Sequence, residues 1–456
     1  MKHRINRLIG AVAAGMSLTV AAEERPQPAF QNTRYDDDLA TRQAALYYMP
    51  LRLNDASELS VGGQIRVRGE RWDNFGFTEA NDDEFLLLRL RLHTDLRVCS
   101  GFRVFVEGIG AQATERDLPG GRRTVDADSA DLLNAFGDLS TDIGEASLTL
   151  RGGRQELQYG KQRLVSPLDW ANTRRTFDGV KFIAKSGDWR VDAFLARLVQ
   201  VQKYAFNSGD SGRDLYGVYA TRKIASWQGA ADAYWLSLDR DDATFGAVTG
   251  EEKRETLGAR LGGACGVSGV DYDLEGGCQF GDVAGAAIRA FFFASQVGYK
   301  PPDFPMNPRL YMGYDYASGD DDPADGEVET FNQLFPLGHA YFGALDVVGR
   351  QNVTDISAGV TLAPLAKLSV KLEGHLFERA DTHDALYDVG GNVTRAGDTG
   401  SSRDIGREIN LITDYKWNAR LLLQAGYGHF FAGDFIEESG ASEDVDLAYV
   451  MAQYTL

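Results

Sequence analysis

In the stretch Glu58-Leu59-Ser60-Val61-Gly62-Gly63-Gln64-Ile65-Arg66-Val67-Arg68-Gly69-Glu70, the odd positions from Leu59 to Gly69 are apolar or small, whereas Gln64, Arg66, Arg68 and Glu70 are polar. A period of two marks a β-strand whose two faces meet different surroundings. The next segment repeats it, with Leu86, Leu88, Leu90, Leu92 and Leu96 on one face and Arg89, Arg91, His93 and Asp95 on the other. Val270, Tyr272 and Leu274 alternate with Asp271, Asp273 and Glu275, and Leu368, Val370 and Leu372 with Ser369, Lys371 and Glu373. No segment shows comparable helical periodicity.

Working outward, about eighteen segments read as strands: 58–73, 84–98, 101–113, 131–140, 147–158, 174–185, 188–200, 213–223, 226–239, 253–264, 268–281, 286–299, 308–318, 352–362, 367–380, 406–417, 419–432 and 445–456. Connections after the second, sixth, eighth, tenth, fourteenth and sixteenth are tight, while most odd strands are followed by long ones, at 113–130, 200–212, 239–252, 318–351, 380–405 and 432–444. Loop length sorted by parity is the pattern of an outer-membrane barrel, with short periplasmic turns and long extracellular loops. Trp72, Trp189, Trp227, Tyr299 and Trp417 fall near strand ends, where such barrels carry aromatic girdles. The expectation is an all-β fold: a transmembrane antiparallel β-barrel of about 18 strands over 58–456.

Composition agrees. The chain of 456 residues has 51 Gly but 12 Pro, with 19 Tyr and 24 Phe, a bias toward glycine-punctuated, aromatic-rich β-structure. A formal charge of −19 excludes the basic footprint that nucleic-acid binding needs. Three cysteines cannot form a disulfide scaffold. Beyond the leader, no apolar run reaches the roughly 18 to 20 residues of a membrane-spanning helix. Residues 1–22 have a basic start, an apolar run from Leu8 to Val20 and a small Ala21-Ala22 end, so they read as a signal peptide. Residues 23–57 form a periplasmic lead-in, and the expected location is the bacterial outer membrane.

The arginines set the orientation of the strands. One arginine on the lipid face near the midplane costs roughly 2–4 kcal/mol, so four would consume much of the roughly 5–15 kcal/mol of a typical fold. Arg66, Arg68, Arg89 and Arg91 are therefore expected to face the lumen, and eighteen strands enclose an aqueous channel. Residues 147–200 hold ten Lys/Arg, Lys181 among them, against five Asp/Glu. Asp271, Asp273 and Glu275 face inward from nearly the opposite side. Two readings stand: basic and acidic walls that set up a transverse field guiding anions, or lumen residues that are simply compatible with water.

Two blocks carry a resemblance. Arg154-Gln155-Glu156-Leu157-Gln158-Tyr159-Gly160-Lys161-Gln162-Arg163-Leu164 is followed by Trp170-Ala171-Asn172-Thr173-Arg174-Arg175-Thr176-Phe177-Asp178-Gly179-Val180. The second runs from Phe331-Asn332-Gln333-Leu334-Phe335-Pro336 through His339-Ala340-Tyr341-Phe342-Gly343 to Asp346. Both resemble the outer-membrane alginate export porins. The resemblance implies a monomeric eighteen-stranded barrel that passes an anionic uronate polysaccharide or related solute through an arginine-lined constriction. It points to Arg154, Glu156, Arg163, Arg174 and Arg175 as constriction residues. Guanidinium groups at intervals offer repeated carboxylate contacts between which a polymer can move. Gly152-Gly153, just before Arg154, reads either as a bulge or as a plain pair of small residues.

Other signals define the remaining expectations. The loop 318–351 is either a solvated extracellular loop or an inward gate built on His339, Tyr341 and Asp346. Asp320, Asp322 and Asp325 are a weak Ca²⁺ candidate whose spacing departs from an EF-hand. Gly209-Asp210-Ser211-Gly212 echoes a serine nucleophile motif but lies in an expected surface loop. His93 and Asp95 share a strand face, which keeps a barrel hydrolase as the alternative function. The primary expectation is no enzyme and no cofactor, with anionic saccharide or another small anionic solute passing by diffusion, outer-membrane lipid around the barrel, and no nucleic acid.

Overall fold

The computed structural model describes residues 29–456 except 52–56, 80, 115, 119, 120, 247, 267, 398 and 399. The expected signal peptide lies outside the described residues. Among the described residues, eighteen long strands follow in chain order: β1 Ser57–Asp73, β2 Asp83–Val98, β3 Phe102–Ala113, β4 Asp128–Ile143, β5 Ala146–Gln155, β6 Phe177–Ser186, β7 Trp189–Gln200, β8 Ser208–Ile224, β9 Gly229–Phe245, β10 Val248–Cys265, β11 Val270–Val283, β12 Ala286–Tyr299, β13 Arg309–Ala317, β14 Val353–Leu365, β15 Leu368–Glu378, β16 Asp404–Lys416, β17 Leu421–Ala432 and β18 Val445–Thr455. Each pairs antiparallel with its chain neighbours, and β18 returns to β1 over Gln64↔Thr455 to Asp73↔Asp446, closing the barrel. Closure removes the unpaired edges that a lipid environment does not tolerate.

The alternation resolves into an inverted pattern of exposure. Leu88, Leu90 and Leu92 are 46%, 40% and 46% exposed, whereas Arg89 and Arg91 are 0% and 1% exposed. Apolar side chains face outward to lipid and charged ones point inward, as the cost of a lipid-facing arginine requires. Trp189, Trp227 and Tyr299 are exposed at the short-turn end. Trp72 is not part of such a girdle: it is buried, and its Nε1 donates to Glu70 at 2.9 Å. Its even number places it on the inward face with Arg66, Arg68 and Glu70.

Three segments fill much of the interior. The loop 156–176 after β5 and the loop 318–352 after β13 turn inward and meet. Val165 and Phe335 form a parallel bridge, with Phe335 N donating to Leu164 O at 2.8 Å and Ser166 N to Phe335 O at 2.9 Å. Phe331, Phe335 and Phe342 lie against Phe292, Phe177 and Phe377 of the wall, at ring separations of 4.8, 5.2 and 6.4 Å. Each fully buried phenylalanine contributes roughly 1.5–3 kcal/mol, so the loops are docked on the wall as a core is packed. From the short-turn end, the lead-in segment also enters the lumen. Tyr35 stands edge-on to Phe105 and Phe136 and donates to Glu156 O at 2.6 Å, and a short strand, Tyr47–Leu51, then pairs with the start of β1.

Three local expectations change, and of the two readings of Gly152-Gly153 one remains. The segment 239–252 is not a long loop, because β9 and β10 stay paired to Phe245↔Val248. Gly209 to Gly212 lie on β8, not in a loop. β5 ends at Gln155 and β6 starts at Phe177, so Arg174 and Arg175 belong to the inward loop. The departure from β5 is fixed by Asn134, whose Oδ1 accepts from Glu156 N at 2.9 Å while its Nδ2 donates to Glu156 Oε2 at 3.1 Å. Gly152-Gly153 makes no bulge, since pairing with β4 and β6 runs through it without a shift. Gly153 instead has φ 128°, and a Cβ there would collide with Ala135 O, so only glycine suits the position.

Candidate channel constriction

The turn 169–171 of the inward loop is held by arginines from the wall. Arg66 donates to Asp169 O at 2.6 Å, Ala171 O at 2.9 Å and Trp170 O at 3.1 Å. Arg68 donates to Trp170 O at 2.8 Å and lies 3.7 Å over the Trp170 ring. Arg89 reaches the Asp169 carboxylate at 2.8 Å. Arg174 binds Glu156 at 2.5 Å and also pairs with Asp169. Burial would push the Asp169 carboxyl up, but Arg89, Arg174 and Arg66 outweigh it and hold the group well below the usual carboxylate range. Arg91 makes a two-pronged pair with Glu107 at 3.0 and 3.1 Å, and Asn134 links Glu107 to Glu156.

Arg66, Arg68, Arg89, Arg91, Glu156 and Arg174 are thus brought together as one network that positions the loop. Other expected residues lie elsewhere. Arg163 is carried across to the acidic side, where it meets Asp273 at 2.6 Å and Glu275 at 2.9 Å. Asp271 pairs with Arg309 at 2.6 Å. The acidic wall is therefore met by cations, and the two walls do not face each other as bare charges. Arg154 is bound by Asp178 at 2.8 Å and Asp131 at 3.1 Å, and Lys181 stands 4.0 Å from Asp192.

The gate candidates join the two loops. His339 stacks on Trp170 with ring centroids 3.7 Å apart, and its Nδ1 is 3.2 Å from Asp346. Tyr341 donates to Lys161 O and lies under Arg163, 4.8 Å from ring centroid to guanidinium. Asp320, Asp322 and Asp325 each accept a backbone N–H two residues on, at 3.2, 3.1 and 2.8 Å. Among the described residues, no group of three His, Cys, Asp or Glu side chains is arranged to hold a metal ion. His93 and Asp95 do not form a dyad. Asp95 is engaged by Arg103 at 2.7 and 3.0 Å, and His93 stacks on Phe105 with Glu107 4.0 Å away.

Arg175 differs from the other expected cations. It donates to two carbonyls, Pro336 O at 3.2 Å and Ser166 O at 3.3 Å, and among the described residues it has no carboxylate within 4 Å. Burial, then the neighbouring Arg213, lowers its guanidinium to about 10. It lines a cavity of about 170 Å³ with Arg213, Arg240, Asn332, Gln333 and Gln351. Arg175 also lines a larger cavity of about 490 Å³ that contains Trp72, Phe75 and Trp170. Arg213 and Arg240 went unnoticed in the sequence. The signal was available, since each shares inward parity with a buried neighbour, Leu215 and Leu238 respectively.

The family profile described as alginate export matches residues 57–449. The chain belongs to the alginate export family. The match covers every barrel strand except the last residues of β18. Among solved structures, this alginate export family member is similar to OccAB1 of Acinetobacter baumannii, at TM-score 0.58 and 13% identity over 87% of this chain and 96% of that one. OccK8 (OprE) of Pseudomonas aeruginosa gives 0.56 and 13% over 87% and 98%, and OprD of the same organism 0.55 and 13% over 87% and 94%. At this identity the likeness is one of fold. No curated protein matches the chain. Family and fold together are those of a porin-like outer-membrane β-barrel channel.

Proposed function

We propose that the channel passes anionic polysaccharide or oligosaccharide of the uronate type by passive diffusion, and that Arg175, Arg213 and Arg240 form its carboxylate-contacting step. The observation that carries the reading is the Arg175 guanidinium, which among the described residues lacks a carboxylate partner and shares a cavity with Arg213 and side-chain amides. Arg240 also holds Glu252 at 2.8 Å and Arg213 lies 3.5 Å from Asp242, so these two add positive field beside Arg175, while the arginines of the 169–171 network serve as scaffold. A charged hydrogen bond of roughly 1.5–3 kcal/mol is weaker than the roughly 4 kcal/mol of a millimolar complex. One sugar carboxylate would therefore be caught and released, which is what conduction requires. Arg66, Arg68, Arg89, Arg91 and Arg174 act in this reading by setting the loop that narrows the lumen.

Planar-bilayer recording of the mature protein tests the proposal. Uronate oligomers are expected to interrupt the current while neutral oligosaccharides of equal length do not, and Arg175→Gln is expected to shorten the interruptions. Equal block by the neutral oligomers would refute it.

A further inference from the structure

At the short-turn end, beneath Tyr35, lies a cavity of about 300 Å³ bordered by the turn 99–101. Its volume is at the lower edge of the roughly 300–1,000 Å³ of small-molecule sites. Six cations line it, namely Arg42, Arg97, Arg103, Arg151, Lys185 and Arg190, against three carboxylates. The arginines are engaged: Arg42 with Glu58 at 2.7 Å, Arg97 and Arg103 with Asp95 at 3.2 and 2.7 Å, Arg151 with Asp138 at 2.8 Å and Arg190 with Asp192 at 2.8 Å. Among the described residues, Lys185 has no carboxylate within 4 Å.

One acid is left over in the same way. Of the lining carboxylates, Asp37 is held by Arg34 at 2.9 Å and Asp138 by Arg151, but among the described residues Asp36 accepts a side-chain hydrogen bond only from Thr33 Oγ1, at 2.7 Å. Asp36 lines the same cavity as Arg151, Lys185 and Arg190, and among the described residues it forms no ion pair with any of them. The segment that carries it is anchored on both sides. Tyr35 O accepts from Arg103 at 2.8 Å, and Asn32 Oδ1 accepts from Arg174 at 2.9 Å.

We propose that this cavity is an entry site for a saccharide carboxylate at the periplasmic mouth, with Lys185 as the receiving cation and Asp36 as a fixed anion that competes with the incoming uronate for the field of the cluster. The inference rests on the uronate reading of the channel.

The test uses the mature full-length chain in an oriented planar bilayer, with a uronate trisaccharide and neutral maltotriose added to either side. Asp36→Asn is expected to lower the half-blocking uronate concentration from the short-turn side about five-fold, the scale of an exposed ion pair. Lys185→Gln is expected to raise it by a similar factor, with block from the long-loop side and the effect of maltotriose unchanged. If neither substitution shifts block while Arg175→Gln still weakens it, the entry site is wrong and the uronate reading stands. Equal shifts from both sides would reduce Asp36 to a general charge effect and also overturn the entry site. Absence of uronate block in every variant would overturn both.

Discussion

Arg213 of β8 and Arg240 of β9 are directly opposed in register, two like charges in one cross-strand pair. Such a pair destabilises a sheet, where a favourable pair would contribute roughly 0.2–1 kcal/mol. Their surroundings compensate in part, with Asp242 3.5 Å from Arg213 and Glu252 2.8 Å from Arg240. Among the described residues the Nε atoms of both arginines are buried without a hydrogen-bond partner, and buried donors left unmade cost about 1–3 kcal/mol each. An anion between them would relieve both costs. Arg213→Gln is therefore expected to leave thermal stability in detergent unchanged or raise it by up to about 1 kcal/mol, while weakening uronate block. A variant that lost stability and kept its block would remove the site from the conduction path.

The wall arginines are expected to behave differently. Arg89 holds the Asp169 carboxylate and the carbonyls of Asp169 and Ala171, at 2.8, 3.0 and 3.2 Å. Replacing it by Gln removes one of the two guanidinium groups on Asp169, whose side chain is 35% exposed and keeps Arg174, so the cost is below the roughly 3–5 kcal/mol of breaking a fully buried pair. Released from the wall, the turn 169–171 no longer narrows the lumen. Single-channel conductance of Arg89→Gln is expected to rise and fluctuate, opposite to the effect of losing a solute-binding cation. A stable channel of lower conductance would make Arg89 a direct solute contact.

Strand parity made the barrel legible because lipid imposes the same rule on all eighteen strands. Arg66, Arg68, Arg89 and Arg91 followed from that rule alone. Parity states which face a residue occupies and nothing about what lies across the lumen, so the pairing of Arg163 with Asp273 and Glu275 was out of reach. The same holds for Tyr35, whose segment enters the barrel by packing on Phe105 and Phe136. The hairpin tip of β9 and β10 was missed for another reason: around Asp239 to Asp242 both faces are polar, so the alternation that marks a lipid-facing strand ends before the hydrogen-bond ladder does.

The stacked pair Trp170 and His339 joins the two inward loops, and Arg68 also lies over the Trp170 ring at 3.7 Å. Trp170→Ala removes both contacts, and an aromatic pair contributes about 0.5–1.5 kcal/mol beyond its buried area. Loop 318–352 is then held mainly by its phenylalanines on the wall. Conductance is expected to increase in Trp170→Ala and further when 320–350 is replaced by a short linker, measured in the same bilayer. Unchanged conductance in the linker variant would show that the loop does not limit the passage.

The outer part of that loop carries a proton-dependent fastening. Asp320 N donates to Asp384 Oδ2 at 3.0 Å, and Thr330 Oγ1 donates to the same oxygen at 2.6 Å. Burial, then the neighbouring Asp384, pushes the Asp320 carboxyl up to about 6 from 3.8, and burial raises Asp384 as well. With its folded value raised, Asp320 holds more protons docked than released between about pH 4 and 6, so docking weakens as pH rises through that window. Hydrogen exchange of residues 318–330 is expected to show more protection at pH 5 than at pH 7.5, after correction for intrinsic rates. Asp320→Asn, which cannot ionise, is expected to keep the pH 5 level of protection at both values. Protection that grew with pH in the unsubstituted chain would mean that the two carboxyls are docked as charges and that another cation holds them.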